Sequence, residues 1–190
     1  MAHGAAGVAY SLARLHRITG LEHFLEAATE SMGYEVSDFL PEAGSWPDPK
    51  SHDRVASITS WCRGTLGLRL AQLGGPIPES RLIRQRDVDV LFRAAEKSTS
   101  TPVDRLCCGN MGRAELLLVG GRQLSCPELT DAATGIASRV LERSEENGSF
   151  ELNTLSPDRP FNPGFLQGTT GIGYGLLRMA HPLPSVLLWE

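Results

Sequence analysis

One short pattern constrains this chain more than any other: Gly, two residues, Gly, then an apolar run. It recurs four times, as Gly4-Ala5-Ala6-Gly7, Gly64-Thr65-Leu66-Gly67, Gly109-Asn110-Met111-Gly112 and Gly168-Thr169-Thr170-Gly171. A single such match means nothing, but four copies that each open a similar segment set an organisation. The segments that follow, Val8–Arg17, Leu68–Leu73, Arg113–Val119 and Ile172–Ala180, are rich in Leu, Ala and Arg and contain no proline. They read as helices buried on more than one side. Between copies lie longer amphipathic segments, Glu22–Phe39, Arg81–Lys97 and Leu129–Arg143, with apolar residues at helical spacing and a charged opposite face. Thr19–Glu22 and Ser125–Glu128 fit the capping-box pattern at the start of two of these outer helices. Inner apolar helices thus alternate with outer amphipathic ones. That is an all-α chain of repeated hairpins, a solenoid or a closed α/α toroid. Gly148–Asn153 is the only candidate for a short strand.

The 190 residues allow one domain, residues 1–190, with enough apolar content (41%) to bury a core. Eighteen Lys and Arg against twenty-two Asp and Glu give a net charge of -4, and the basic residues are scattered. That balance argues against a nucleic-acid partner or an anionic membrane surface. No apolar run approaches the length of a membrane span. The start of the chain lacks the basic and apolar regions of a signal peptide, so a cytoplasmic location is the default expectation. Four cysteines in a chain of this size are not a disulfide framework, and two of them, Cys107 and Cys108, are adjacent.

Aligning the copies on their first glycine aligns the chemistry. The preceding residues are His3, Arg63, Cys108 and Gln167; before these stand Ala2, Cys62, Cys107 and Leu166. Cys62 and Cys107 therefore hold the same position in neighbouring copies, and Cys108 takes the position of His3. Repeats packed side by side would turn equivalent positions toward a common centre, just ahead of each inner helix. Free N–H groups and the helix dipole at that point would favour thiolates. Three thiolates suit zinc and leave its fourth position open for an exchangeable ligand. The spacing is not the Cys-x-x-Cys of structural zinc sites, and lone cysteines are often plain core residues. Repeat phase alone weighs the two readings equally. Cys126 lies off the repeat frame and reads as an inert thiol. His16, His23, His52 and His181 have no partner pattern, and Trp61 reads as packing beside Cys62.

These motifs resemble a known family. His3-Gly4-Ala5-Ala6-Gly7 resembles the histidine-glycine motif of lanthionine cyclases. Ser60-Trp61-Cys62-Arg63-Gly64 resembles their first zinc-ligand motif, and Leu106-Cys107-Cys108-Gly109 through Leu116 their second. Pro163–Gly168 followed by Gly171-Ile172-Gly173-Tyr174 resembles their closing hairpin. The tail Leu183–Leu188 is similar to that of the bifunctional class II LanM synthetases. The resemblance implies an α/α toroid around a central zinc and a reaction that adds a precursor-peptide cysteine to dehydroalanine or dehydrobutyrine, giving a thioether ring. It implies Cys62, Cys107 and Cys108 as the zinc ligands of a three-cysteine subgroup and His3 as the active-site histidine. The implied partner is a dehydrated precursor peptide.

The resemblance covers about the last four of the family's seven hairpins. The chain therefore reads as N-terminally truncated, and a second chain supplying the missing arc is one expectation. His3, near the start, is expected to fray. Two further functions stay open: a zinc-holding remnant or peptide-binding module without activity, and a thiol-adding relative acting on glutathione or modified proteins. A toroidal glycosidase is disfavoured, because no paired carboxylates sit in the repeat frame.

Overall fold

The computed structural model describes residues 1–37, 60–62, 64–75, 102–152 and 161–190. They fall in two compact units, Met1–Asp87 and Val88–Glu190. The expected all-α class is what is found: six α-helices and a short 3-10 turn, with no strand among the described residues. Arg81–Lys97 and Asn153 lie outside the described residues. Gly148–Leu152 forms no strand and makes one backbone bond toward the loop before the third repeat, from Asp104 N–H to Glu151 O (2.7 Å).

In the first unit, α1 (Ala5–Thr19) and α2 (Glu22–Ser37) form a hairpin, and α3 (Thr65–Gly74) packs on α1. The α1–α2 contact is made of small residues, Ala9, Ala13 and Ala28, closed by Met32 with Leu12 beside them. Alanine faces let the two backbones approach closely without side-chain entropy loss. Helix α1 stops at Gly20, whose φ of 71° is left-handed and whose N–H bonds His16 O at 2.7 Å. Glycine is the natural residue at such a terminus.

The capping boxes expected at Thr19 and Ser125 are not formed. Thr19 is the last residue of α1; its hydroxyl donates to Leu15 O (2.8 Å) and accepts from Leu21 N (3.3 Å). Ser125 terminates the preceding helix in a left-handed conformation (φ 54°), and Cys126 stands at the following N-cap with no side-chain capping bond. Only two residues separate the helices at each of these turns. The residue read as the cap of one helix is therefore the end of the other.

In the second unit, α4 (Asn110–Leu124), α5 (Pro127–Asn147) and α6 (Thr169–Ala180) pack mutually, and the turn Val186–Leu188 follows. Met111, Leu117, Leu129, Ile172, Leu187 and Leu188 are almost wholly buried. Each such side chain stabilises the fold by about 1.5–3 kcal/mol relative to exposure. Two carboxylates are buried among them. Glu115 (1% exposed) accepts from Arg178 Nε at 2.8 Å and from Ser185 Oγ. The same guanidinium donates to Leu183 O, so the ion pair of α4 and α6 also ties down the tail. Burying either charge alone would cost several kcal/mol, and pairing with full hydrogen bonding offsets that.

The physical origin of the repeat is visible in all four copies. A Cβ added to the second glycine would collide with the backbone carbonyl six residues earlier: Met1 for Gly7, Trp61 for Gly67, Leu106 for Gly112 and Phe165 for Gly171. The preceding loop thus folds down onto the first turn of each inner helix. Loop carbonyls then accept the otherwise orphaned N–H groups of that turn. Asn110, Met111 and Gly112 donate to Val103, Asp104 and Arg105 at 3.0, 3.3 and 3.4 Å; Thr169 donates to Asn162 at 2.8 Å and Gly67 to Ser60 at 3.2 Å. Side chains cap none of these helices.

Candidate functional site

Each chemistry-bearing residue sits on one of these folded-down loops. In the first unit the loops of the first two copies lie edge to edge, with His3 N–H donating to Cys62 O at 3.1 Å. The backbones of the histidine and the first cysteine are therefore neighbours. Met1 is 4% exposed, with its carbonyl against Gly7. The His3 side chain is exposed, and Cys62 is half-buried with its sulfur 3.7 Å from Ser60 Oγ. Trp61 is 5% exposed, in keeping with a packing role.

In the second unit the loops of the third and fourth copies are also joined, one residue out of step with that bond, with Cys107 N–H donating to Leu166 O at 2.9 Å. Cys107 is buried and Cys108 half-buried. The Cys107 side chain hydrogen-bonds Cys108, and the Arg105 guanidinium lies beside it, donating through Nη1 to Cys108 Sγ at 3.9 Å. These contacts outweigh partial burial and lower the Cys108 thiol from its ordinary 9.0 to about 6. The contacts with Cys107 and Arg105 thus favour the thiolate form of Cys108.

The source of that stabilisation differs from the sequence expectation. Free N–H groups of the helix N-terminus were expected to favour thiolates. The first-turn N–H groups of α4 are instead taken by the carbonyls of Val103, Asp104 and Arg105. A neighbouring thiol and a guanidinium supply what the helix end does not.

The loop has its own anchor. Asp104 is 1% exposed, and its carboxylate accepts from Asn110 Nδ2 (3.0 Å), Arg143 Nη2 and Glu151 N (2.9 Å). Sequence reasoning passed over Asp104, Arg105, Glu115 and Arg178. One signal was present for Glu115: a carboxylate inside a run read as buried on all sides requires a partner.

The three expected metal ligands are divided between the units, Cys62 in the first and Cys107 with Cys108 in the second. Among the described residues, no three His, Cys, Asp or Glu side chains are grouped to hold a metal ion. The donor chemistry itself fits zinc: all three thiols are free of disulfides, and the surroundings of Cys108 lower its pKa. Cys126 is also free, half-buried, and donates to Glu128 Oε2 at 3.1 Å. His16 Nδ1 is 3.2 Å from Leu21 O, His23 stacks on Phe24, and His181 is exposed; His52 lies outside the described residues. No helix of the described residues is long and apolar enough to cross a membrane.

A family model described as Lanthionine synthetase C-like protein matches residues 1–189. No curated protein matches the chain.

Proposed function

This chain belongs to the lanthionine synthetase C-like family, and from that premise we propose that residues 1–190 act as a zinc-dependent cyclase domain on a dehydrated precursor peptide. Within the family we read it as similar to the cyclase domain of class II LanM synthetases, in the subgroup with three cysteine ligands, on the strength of the Cys107-Cys108-Gly109 run and the Leu183–Leu188 tail. The observation that carries this reading is the Cys107–Cys108 pair, held on the folded-down loop of α4 with Cys108 lowered to about 6.

Cys62, Cys107 and Cys108 are the proposed zinc ligands. Bound zinc would supply the Lewis acidity that takes the proton from a substrate thiol. The reaction is an addition without redox change: a carbon–sulfur bond forms at the β-carbon of the dehydro residue, and the thiol proton ends on the α-carbon. His3 is the proposed proton carrier, accepting from the thiol or donating to the α-carbon. Its backbone bond to Cys62 and its exposed ring support that role.

The test is zinc content followed by thioether formation, read as loss of alkylatable thiol from a dehydrated precursor at unchanged peptide mass. One zinc per chain and progressive thiol loss are expected. Cys62→Ala and Cys107→Ala should abolish zinc binding. His3→Ala should keep zinc and slow cyclisation about 10²–10⁴-fold. A chain that takes up no zinc overturns the reading. Zinc uptake without thioether formation selects the non-catalytic, peptide-binding alternative, and thioether formation from glutathione selects the thiol-adding one.

A further inference from the structure

Arg105 is a cation with one fixed attachment and one unexplained aim. Its Nε donates to the backbone carbonyl of Leu152, forty-seven residues away, and its Nη1 points at Cys108 Sγ from 3.9 Å. The residue is half-buried, so its contacts are only partly exchanged with water. The residue before it, Asp104, has every polar atom engaged. Its N–H donates to Glu151 O, its carbonyl accepts from Met111 N, and its carboxylate joins Asn110, Arg143 and Glu151. The result is a rigid bracket: α4, α5 and the segment after α5 all converge on the two residues ahead of the Leu106-Cys107-Cys108 run.

Such a bracket is more than the loop needs to keep its shape. Backbone carbonyls already cap α4, and the Leu106 carbonyl is already seated on Gly112. What the bracket adds is the direction of one guanidinium. A planar guanidinium bonded at Nε has fewer ways to turn its Nη1 from the sulfur than a free one.

We propose that Arg105 is a positioning residue for Cys108: held by Leu152 and by the Asp104 bracket, it keeps an N–H···S hydrogen bond on the sulfur while that sulfur serves as a metal ligand. The proposal rests on the reading of Cys108 as a zinc ligand. Its chemical consequence is a trimming of charge. Three cysteine thiolates leave a divalent ion with a formal charge of -1, and a substrate thiolate takes it to -2. A guanidinium bonded to one of the sulfurs offsets part of that excess and fixes the direction of the donor lone pair. Groups that orient metal ligands in this way are typically worth about 10–100-fold in metal affinity.

The full chain loaded with cobalt(II) separates this role from simple stability. Wild type should show the near-ultraviolet thiolate-to-cobalt charge-transfer band. Removing an N–H···S bond raises the energy of the sulfur lone pairs, so Arg105→Ala should move the band to longer wavelength. Zinc affinity, measured by chelator competition, should fall by about 10–100-fold in the same variant. Arg105→Lys keeps the charge and one donor group but not the two-point hold, so its band and affinity should fall between the two. It also serves as the reporter if circular dichroism shows the alanine variant unfolded. Band position and affinity unchanged from wild type in both variants, or in Arg105→Lys when the alanine variant does not fold, overturn the proposal and leave the zinc reading intact. Absence of the charge-transfer band in wild type removes the zinc reading, and this proposal with it.

Discussion

Helices α1 and α4 open with the same motif and carry very different surroundings. In α4 the twelve residues Asn110–Gly121 are all buried. In α1 only Ala6, Gly7, Ala9, Tyr10 and Ala13 are. The fourth residue past the first glycine makes the contrast sharp: Leu68, Arg113 and Ile172 are 4%, 8% and 0% exposed, whereas Val8 is 54% exposed. Further along α1, Leu15 and Ile18 also face outward. The motif therefore sets where an inner helix starts and what sits on its first turn. How much of the helix is buried depends on which helices flank it.

The charged residues follow the same division. On α1, Arg14 donates to Tyr10 Oη at 3.1 Å and lies over its ring, 5.8 Å from the centroid. On α4, Glu115 has no water to turn to and relies on Arg178 and Ser185.

The largest effect should come from breaking that buried pair. Glu115→Ala strands the Arg178 charge and should lower stability by about 3–5 kcal/mol, read from the urea midpoint. A loss below 1 kcal/mol would mean that α4 is less enclosed than its burial implies. Next come the second glycines, where the two helices should behave alike despite their surroundings. Gly112→Ala and Gly7→Ala each force a Cβ into a loop carbonyl, and each should cost about 1–3 kcal/mol by thermal or urea unfolding. A tolerated Gly7→Ala beside a damaging Gly112→Ala would break the equivalence of the repeats. Arg14→Ala should then cost about 0.5–1 kcal/mol, as a cation–π contact open to solvent does. Smallest of all, Ile18→Thr at a position 75% exposed should change stability by no more than about 0.5 kcal/mol. A larger loss there would show that this face of α1 is covered in solution.

Much of this architecture could be read from the sequence, for a definite reason. Glycine pairs and apolar runs are local signals, and they gave the inner helices α1, α3, α4 and α6 and the outer helices α2 and α5. Helix ends were less legible. At Thr19 and Ser125 a two-residue turn puts a capping signature on the end of the preceding helix. The buried polar groups were least legible. Asp104 meets Arg143, and Glu115 meets Arg178, across 39 and 63 residues of chain. No periodicity marks a partner at such a distance. At the candidate site, repeat phase put His3 and Cys62 on equivalent loops of adjacent copies, and the backbones of the two are neighbours. It could not foretell Arg105, whose place depends on a carbonyl 47 residues further on.

The carbonyl seated on each second glycine has a consequence for how such a chain can change over time. It holds the backbone of the loop at a set height above its helix whatever side chain comes next. The two positions ahead of the first glycine are therefore interchangeable sockets on a common mount. Ala2-His3, Cys107-Cys108 and Leu166-Gln167 are fillings of the same fitting, and Cys62 takes the first place of another. A side chain there can be exchanged while the carbonyl–glycine contact beneath it stays in place. Variation at those two positions changes the side chains the loop presents before it changes the fold, and variation at the second glycine does the reverse.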